Sequence, residues 1–217
     1  VAAGAEIPPH FRTRLEIEAK THASPVTIAD RAAEMAMRRI IESERPHDGI
    51  VGEEYGSVRE GAAQIWVLDP IDGTRSFVTG RPIFGTLIAL LQDGIPVLGV
   101  IDQPISGERW IGVKGQTTTL NGAPCSTRSC AALAAAHIGT TGPQYFSPDE
   151  FTRFEAVRAA ARDVIYGGDC YNYALLSSGH LDLVIEAGLK LHDYAALVPV
   201  IEGAGGRMTD WQGQPLG

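Results

Sequence analysis

The spacing of apolar and polar positions indicates helices first and strands afterwards. Apolar residues recur with helical spacing over residues 1–19, and Thr27 followed by Asp30 has the form of a capping box opening a second helix through about Glu44. Beyond the turn signals at 46–49, short apolar runs predict strands at 49–52 and 64–69. Both strands would deliver carboxylates at their ends.

The spacing of apolar segments differs between the middle and the second half of the chain. Apolar segments at 86–91, 97–102 and 109–113 are separated by Asp93-Gly94 and Ser106-Gly107, which predicts an antiparallel meander. Predicted strands at 135–139, 164–167 and 181–186 then alternate with predicted helices at 149–162, 171–178 and 194–202. Such alternation favours a layered α/β arrangement, which we expect as one domain with parts at about 1–125 and 126–217.

Composition narrows the class of protein. A chain of 217 residues with 44% hydrophobic content is long enough for a packed globular unit. The net charge of -8 and a pI near 5.2 disfavour nucleic acid and anionic membranes as partners. No apolar run approaches the roughly 20 residues of a membrane helix. Cys125, Cys130 and Cys170 lack paired ligand spacing, which favours a reducing compartment over disulfides or zinc.

A candidate site follows the strand at 64–69. Asp69 and Asp72 are separated by a rigid proline and an apolar residue, so a turn could aim both carboxylates and the Ile71 carbonyl at one point. Hard oxygen ligands of this kind suit magnesium. If a helix begins here, Gly73 and Thr74 could offer backbone N–H groups to a phosphate. Spacing alone fits an acidic turn that caps a helix equally well.

Two further acidic residues help to decide whether this turn binds a metal or only caps a helix. Glu53 follows the strand at 49–52, and Asp193 precedes a helix that ends in the glycine-rich stretch 203–206. Taken singly, Glu53 resembles a solvated surface acid and Asp193 an ordinary helix cap. Taken together, they supply a third and a fourth carboxylate.

These segments, in their order, resemble the inositol monophosphatase-like phosphatases. The matching stretches cover nearly the whole chain: PVTIAD at 25–30, GEE at 52–54, WVLDPIDGT at 66–74, DYAA at 193–196 and EGAGG at 202–206. The resemblance implies an αβαβα sandwich, usually a homodimer, that uses two or three Mg²⁺ ions to hydrolyse a small phosphate monoester. Because the chain starts at Val1 without an initiator Met and family members continue beyond a strand at 207–211, we expect both ends to be truncated.

The resemblance also implies a set of metal ligands. Carried over position by position, Glu53, Asp69 and the Ile71 carbonyl hold one Mg²⁺ ion. Asp69, Asp72 and Asp193 hold a second, so that Asp69 bridges the two ions.

Catalytic roles follow from the same resemblance. Thr74, oriented by Asp30, acts with Glu53 to position and activate a water that attacks phosphorus directly, and the Gly73 and Thr74 amides hold the phosphate.

A rival family also has a strand that ends in acids. The haloacid dehalogenase superfamily uses its first aspartate as a covalent nucleophile. It places one residue between its two acids, whereas Asp69 and Asp72 have two between them, and it leaves Glu53 and Asp193 unexplained. The spacing therefore favours the inositol monophosphatase-like reading.

Substrate choice is expected to depend on Asp169 and Glu186, which match leaving-group positions of the family. Two acids there favour a positively charged leaving group, although Asp169 could instead cap a helix near Cys170. The stretches 168–171 and 189–200 resemble the histidinol-phosphatase branch, with His192 where that branch usually has an aromatic residue. We expect His192 to contact the substrate, although it could instead simply pack beside the site.

The leading expectation is hydrolysis of histidinol phosphate in histidine biosynthesis. It would take place in the cytoplasm, or in a plastid if the source is a plant. The alternatives are inositol monophosphate or another small sugar phosphate as substrate, and a non-catalytic relative that only binds metabolites.

Overall fold

The computed structural model describes residues 2–14, 18–19 and 25–216. Its α-helices are α1 (Ala3–Glu6), α2 (Ile28–Glu44), α3 (Thr74–Val78), α4 (Pro148–Ala160), α5 (Cys170–Ser177), α6 (Leu191–Tyr194) and α7 (Leu197–Gly203). Its strands are β1 (Glu18–Ala19), β2 (Pro25–Val26), β3 (Gly49–Gly52), β4 (Gly56–Val58), β5 (Gln64–Asp72), β6 (Gly85–Gln92), β7 (Ile95–Gln103), β8 (Glu108–Val113), β9 (Thr119–Leu120), β10 (Ala123–Pro124), β11 (His137–Thr140), β12 (Asp163–Tyr166) and β13 (Leu183–Val184). None of the helices in these ranges is long and apolar enough to span a membrane.

Two sheets organise the described chain, besides the small β1–β2 pair. The larger has the order β10-β9-β8-β7-β6-β5-β3-β4, in which β3 and β5 are parallel and the other neighbours are antiparallel. The smaller is parallel, with the order β12-β11-β13. The strands of the two sheets lie on either side of the division expected near residue 125, and that division stays a prediction.

The larger sheet is covered by helices on both faces. Because successive strand residues point to opposite faces, Val67 packs into the cluster formed with α5 and α7, while Leu68 packs into the cluster formed with α1 and α2. The small sheet, with α4 connecting β11 to β12, adds the remaining layers. The expected αβαβα sandwich is thereby confirmed.

Helix α2 begins where the capping pattern predicts. The Ala29 N–H donates to Thr27 Oγ1 at 3.1 Å, and Asp30 Oδ2 accepts from the Thr27 N–H at 2.8 Å. This reciprocal arrangement satisfies two amides that the helix itself leaves without acceptors. The strand at Gly49–Gly52 and the antiparallel meander of β6, β7 and β8 are confirmed as well.

Other expectations from the sequence were wrong or incomplete. A single helix over 1–19 does not form, because Pro8 and Pro9 lack N–H donors and Phe11 is extended; residues 1, 15–17 and 20–24 lie outside the described chain. The helix expected at 194–202 is divided into α6 and α7, where Pro199 supplies no N–H for the carbonyl four residues earlier. Strand β4 was missed, and the strand expected at 207–211 is reduced to one bridge, between Thr209 and Pro215.

A close backbone contact seats the segment joining α6 to α7 on the larger sheet. A Cβ added at Gly99 in β7 would lie 1.9 Å from the Ala196 carbonyl oxygen. We predict that Gly99→Ala lowers the free energy of unfolding by about 1–3 kcal/mol, because the methyl group overpacks this contact. Urea unfolding measures the change.

Gly61→Ala is the matched control, since a Cβ there would meet open space. Equal stability of the Gly99 and Gly61 variants would contradict the importance of the Gly99 contact.

Candidate metal centre

The end of β5 departs from regular pairing with β6. Between Asp69 and Asp72 the register shifts, so that two residues of β5 lie opposite one residue of β6, Thr86. Pro70 cannot donate to the sheet, and its carbonyl accepts from the Thr86 hydroxyl at 2.8 Å. Residues three apart on a regular strand point to opposite faces of the sheet. The extra residue in this bulge changes that alternation, so that Asp69 and Asp72 point to the same side. One carboxylate oxygen of Asp69 therefore lies within 4.8 Å of one of Asp72.

Neighbouring elements bring further ligand atoms to this point. Gly52 of β3 pairs with Leu68 of β5, so Glu53 and Asp69 follow parallel strands at the same edge of the sheet. The structure contains two groups of possible ligand atoms, and within each group the atoms lie within 4.8 Å of one another. One group belongs to Asp69, Asp72 and Asp193, and the other to Glu53, Asp69 and His192. His192, expected near the substrate, thus has a ring nitrogen beside Glu53 and Asp69.

The acids that meet at this point, here called the metal cluster, concentrate negative charge around the buried Asp69; they are Glu53, Asp69, Asp72 and Asp193. Burial raises the pKa of Asp69 well above its ordinary value, and the charges of Glu53, Asp72 and Asp193 raise it further. Burial, with Asp169 and Asp193, likewise raises the pKa of Asp72. Asp69 Oδ1 is buried and makes no hydrogen bond to any residue that the structure describes. A divalent cation would satisfy this oxygen and neutralise its neighbours, so the residues fit magnesium.

The turn after the bulge joins the metal cluster to α3. Gly73, at φ +91°, precedes α3 in the left-handed conformation that glycine adopts at no steric cost. The Thr74 hydroxyl donates to the Ile71 carbonyl at 3.0 Å. Asp30 is fully buried, and its Oδ2 accepts from the Thr27 N–H and hydroxyl. Asp30 therefore caps α2, and its role in orienting Thr74 stays a prediction.

Asp169 has an unusual backbone conformation. Its φ is +44°, and it follows Gly167 and Gly168, which also have positive φ. It occupies the N-cap position of α5, but its side chain does not cap that helix, so the capping alternative is wrong. Instead Ser76 Oγ donates to Asp169 Oδ2 at 3.5 Å. A non-glycine residue held in this way costs about 1–3 kcal/mol, and such strain is concentrated at functional sites.

Asp169 and Glu186 form a second acidic region beside the metal cluster. Burial raises the pKa of Asp169 to about 6, against the lowering effects of Ser76 and Arg75. Burial raises the pKa of Glu186 to about 7, and the charge of Asp169 also raises this pKa. Hydrogen bonds that Glu186 accepts from the Thr141 N–H at 2.6 Å and from the Thr141 hydroxyl at 2.8 Å lower it. Since the charge of Asp169 acts on Glu186, the two carboxyl groups favour a cationic partner.

Some residues around the site were missed by sequence reasoning. Arg75 donates a hydrogen bond to the Tyr145 hydroxyl and lies 5.4 Å from the centre of its ring. The Cys170 N–H donates to Asp72 Oδ2 at 2.6 Å, which helps to fix that carboxylate. Arg75 directly follows Thr74, which was a usable signal, whereas the contacts of Tyr145 and Cys170 depend on distant parts of the chain.

Comparison with known proteins agrees with this arrangement. The model described as "Inositol monophosphatase family" matches residues 1–217. The chain belongs to this family. The assignment goes against the haloacid dehalogenase alternative.

Relatives within the inositol monophosphatase family differ in their described substrates. The "Bifunctional phosphatase IMPL2, chloroplastic" of Arabidopsis thaliana is 55% identical over 98% of this chain, which spans 62% of that protein's length. A histidinol-phosphatase of Chlorobaculum parvum is 36% identical, covering 94% of this chain and 79% of the relative. The structure of an inositol monophosphatase from Zymomonas mobilis has a TM-score of 0.91 and 57% identity, covering 99% of this chain and 83% of that one.

The raised pKa values predict how metal-free protein responds to pH. A carboxyl group whose pKa is higher in the folded state than in the unfolded state destabilises the fold increasingly as pH rises above the unfolded value of about 4. In chelator, we therefore expect a lower free energy of unfolding at about pH 8 than at about pH 5.5. At about pH 8, Mg²⁺ at 100 times its Kd should add about 2.7 kcal/mol, measured by thermal unfolding.

Asp69→Asn should weaken both the pH response and the Mg²⁺ response, because it removes the central charge. Asp93→Asn is the control, since Asp93 is an exposed turn residue with φ +50°, a conformation that asparagine tolerates. A metal-free protein that is more stable at the higher pH would contradict the arrangement.

Proposed function

We propose that this chain is a magnesium-dependent phosphatase of small phosphate monoesters. The observation that carries the proposal is the cluster of Glu53, Asp69, Asp72 and Asp193 around the buried Asp69, one oxygen of which lacks a hydrogen-bond partner among the described residues. Repulsion among these acids has no structural benefit without a cation. Membership of the inositol monophosphatase family supports the same function.

Two or three Mg²⁺ ions would be held by the residues that meet at the β5 bulge. Glu53, Asp69 and the Ile71 carbonyl would hold one ion, and Asp69, Asp72 and Asp193 would hold another. Magnesium, when bound, supplies positive charge that acidifies water and stabilises the departing alkoxide. The membership of Asp69 in both groups of ligand atoms supports its proposed role as a ligand of both ions.

The turn at the start of α3 would bind the phosphate. The Gly73 and Thr74 amides stand at the first turn of α3, where backbone N–H groups lack acceptors within the helix. Thr74, oriented by Asp30, would help Glu53 to orient the attacking water, and the Glu53 carboxylate would take up the proton of that water. As the bond from water to phosphorus forms, the ester bond breaks, and the leaving alkoxide accepts a proton from a second water molecule. Phosphoryl transfer requires mainly such positioning and charge neutralisation.

Phosphate release tests the proposed activity. We expect purified protein to release phosphate from histidinol phosphate, inositol monophosphate or fructose bisphosphate in Mg²⁺ and to stop when a chelator is added. Asp69→Asn should reduce kcat/KM by at least about a hundredfold, because it removes the ligand common to both ion positions. Asp93→Asn should retain full activity.

Three outcomes would count against this activity. Full release in chelator would contradict the metal requirement, and a phosphoaspartate trapped on Asp69 would contradict direct attack by water. Inactivity toward all three substrates would favour a non-catalytic relative.

We further propose that the substrate is histidinol phosphate, hydrolysed to histidinol and phosphate. Asp169 and Glu186 support this choice, because the charge of Asp169 acts on Glu186, and two such carboxyl groups suit the primary amine of histidinol. Relatives described as histidinol-phosphatases support it too. The protein would then act in histidine biosynthesis, in the cytoplasm or, as for the relative described as chloroplastic, in a plastid. Homodimer formation, which the family resemblance implies, stays a prediction.

Inositol monophosphate is the second candidate. Arg75 and Arg81 already lower the pKa of Asp169, so part of its charge is balanced without any substrate amine. That balance favours a neutral alcohol. The 57% identity to a structure described as an inositol monophosphatase points the same way.

Removing the charge of Asp169 separates the two candidates. If histidinol phosphate is the substrate, Asp169→Asn should raise its KM by about tenfold to a hundredfold, the value of one charge-assisted hydrogen bond. The KM for inositol monophosphate should change far less, because its alcohol carries no charge. Steady-state kinetics on both substrates measures the difference, and equal effects would contradict the assignment.

A further inference from the structure

A carboxylate outside the metal cluster is completely buried against the turn that carries Glu53. Glu34, on α2, has an exposure of 0%. Its Oε2 accepts from the Glu54 N–H at 2.7 Å, and its Oε1 accepts from the Tyr55 N–H at 3.2 Å and from Arg38 Nε at 2.7 Å. A buried carboxylate is costly unless donors surround it, and here each oxygen has at least one.

The location of Glu34 is set by the helix and by a glycine. Glu34 and Arg38 are four residues apart on α2, so they lie on one face of the helix, one turn apart. The opposing strand β3 ends at Gly52, where an added Cβ would lie only 2.0 Å from Glu34 Oε1. The carboxylate is therefore inserted against the backbone at the point where β3 turns toward β4.

This contact fixes the backbone on one side of Glu53. On the other side, the Glu53 N–H donates to the Leu68 carbonyl at 3.1 Å and so continues the pairing of β3 with β5. Glu34 binds the next two amides, those of Glu54 and Tyr55. Without this anchor the turn could move Glu53 away from Asp69, because their carboxylate oxygens lie within 4.8 Å of each other and like charges repel.

We infer that Glu34 is a positioning residue, which holds the turn at 53–55 so that the Glu53 carboxylate stays beside Asp69 ready to bind a cation. The inference rests on the proposed metal-dependent function and adds to it a residue that touches neither metal nor substrate. Groups that orient a ligand in this way typically change metal affinity about 10- to 100-fold when they are altered.

Glu34→Gln is the direct test, because glutamine keeps the size of the side chain but replaces one acceptor oxygen with a donor. We expect Mg²⁺ affinity, measured by calorimetry without substrate, to fall about tenfold or more. Amide hydrogen exchange at Glu54 and Tyr55 should become faster. Glu42→Gln is the matched control on the same helix, because Glu42 is exposed and lies 3.9 Å from Arg59 at the surface; it should change neither measurement.

A second pair of variants perturbs the same contact from the opposing strand. Gly52→Ala should displace Glu34 and weaken Mg²⁺ binding, whereas Gly61→Ala, which adds a methyl group in open space, should not. This pair decides the matter if Glu34→Gln fails to fold, as judged by circular dichroism.

The outcomes separate the inference from the function on which it rests. Folded Glu34→Gln protein that binds Mg²⁺ as tightly as the wild type would overturn the positioning role alone, as would unchanged binding in Gly52→Ala. Wild-type protein that binds no Mg²⁺ would overturn the proposed function and the inference together. Weaker binding in both variants, with both controls unchanged, would support the role.

Discussion

Repulsion among buried carboxylates around Asp69 is the constraint on which the rest of the site depends. Burial and three neighbouring acids all disfavour ionised Asp69, and one of its oxygens has no donor among the described residues. A fold that maintains such an arrangement must hold it rigidly, because each carboxylate would gain by moving toward water. The same features suit a divalent cation, since a bound ion would attract each carboxylate and offset their mutual repulsion.

Several independent contacts supply the rigidity that this repulsion requires. Parallel pairing of β3 with β5 puts Glu53 and Asp69 at one edge of the sheet, and the bulge turns Asp72 to the same side. The Cys170 N–H holds Asp72 from α5, and the Lys190 N–H donates to Asp193 Oδ2 at 2.6 Å. Because these contacts come from different elements, each of them fixes a different carboxylate of the site.

The metal cluster and the region around Asp169 have different physical characters. The cluster depends on backbone geometry, namely a bulge, a sheet edge and a left-handed glycine. Asp169 and Glu186 instead titrate near neutral pH, with pKa values of about 6 and 7, and their charge is balanced in part by arginines. Under the proposed function, small changes in that balance would alter the preferred leaving group. Relatives with different described substrates are consistent with this separation.

The sequence by itself determined the elements whose signals are local. The capping box of α2, the strand at Gly49–Gly52 and the meander follow from spacing and turn residues, and the motif from Asp69 to Thr74 marked the candidate site through oxygen ligands and a glycine. Only the tertiary structure decided the contacts between distant residues. A bulge in β5 turns Asp69 and Asp72 to the same side, and packing places His192 next to Glu53. The side chain of Asp169 does not cap α5, and Glu34 is buried beneath the turn at 53–55. The physical reason is that helix and strand signals depend on neighbours along the chain, whereas burial, repulsion and hydrogen bonds between elements depend on which surfaces meet when the layers pack.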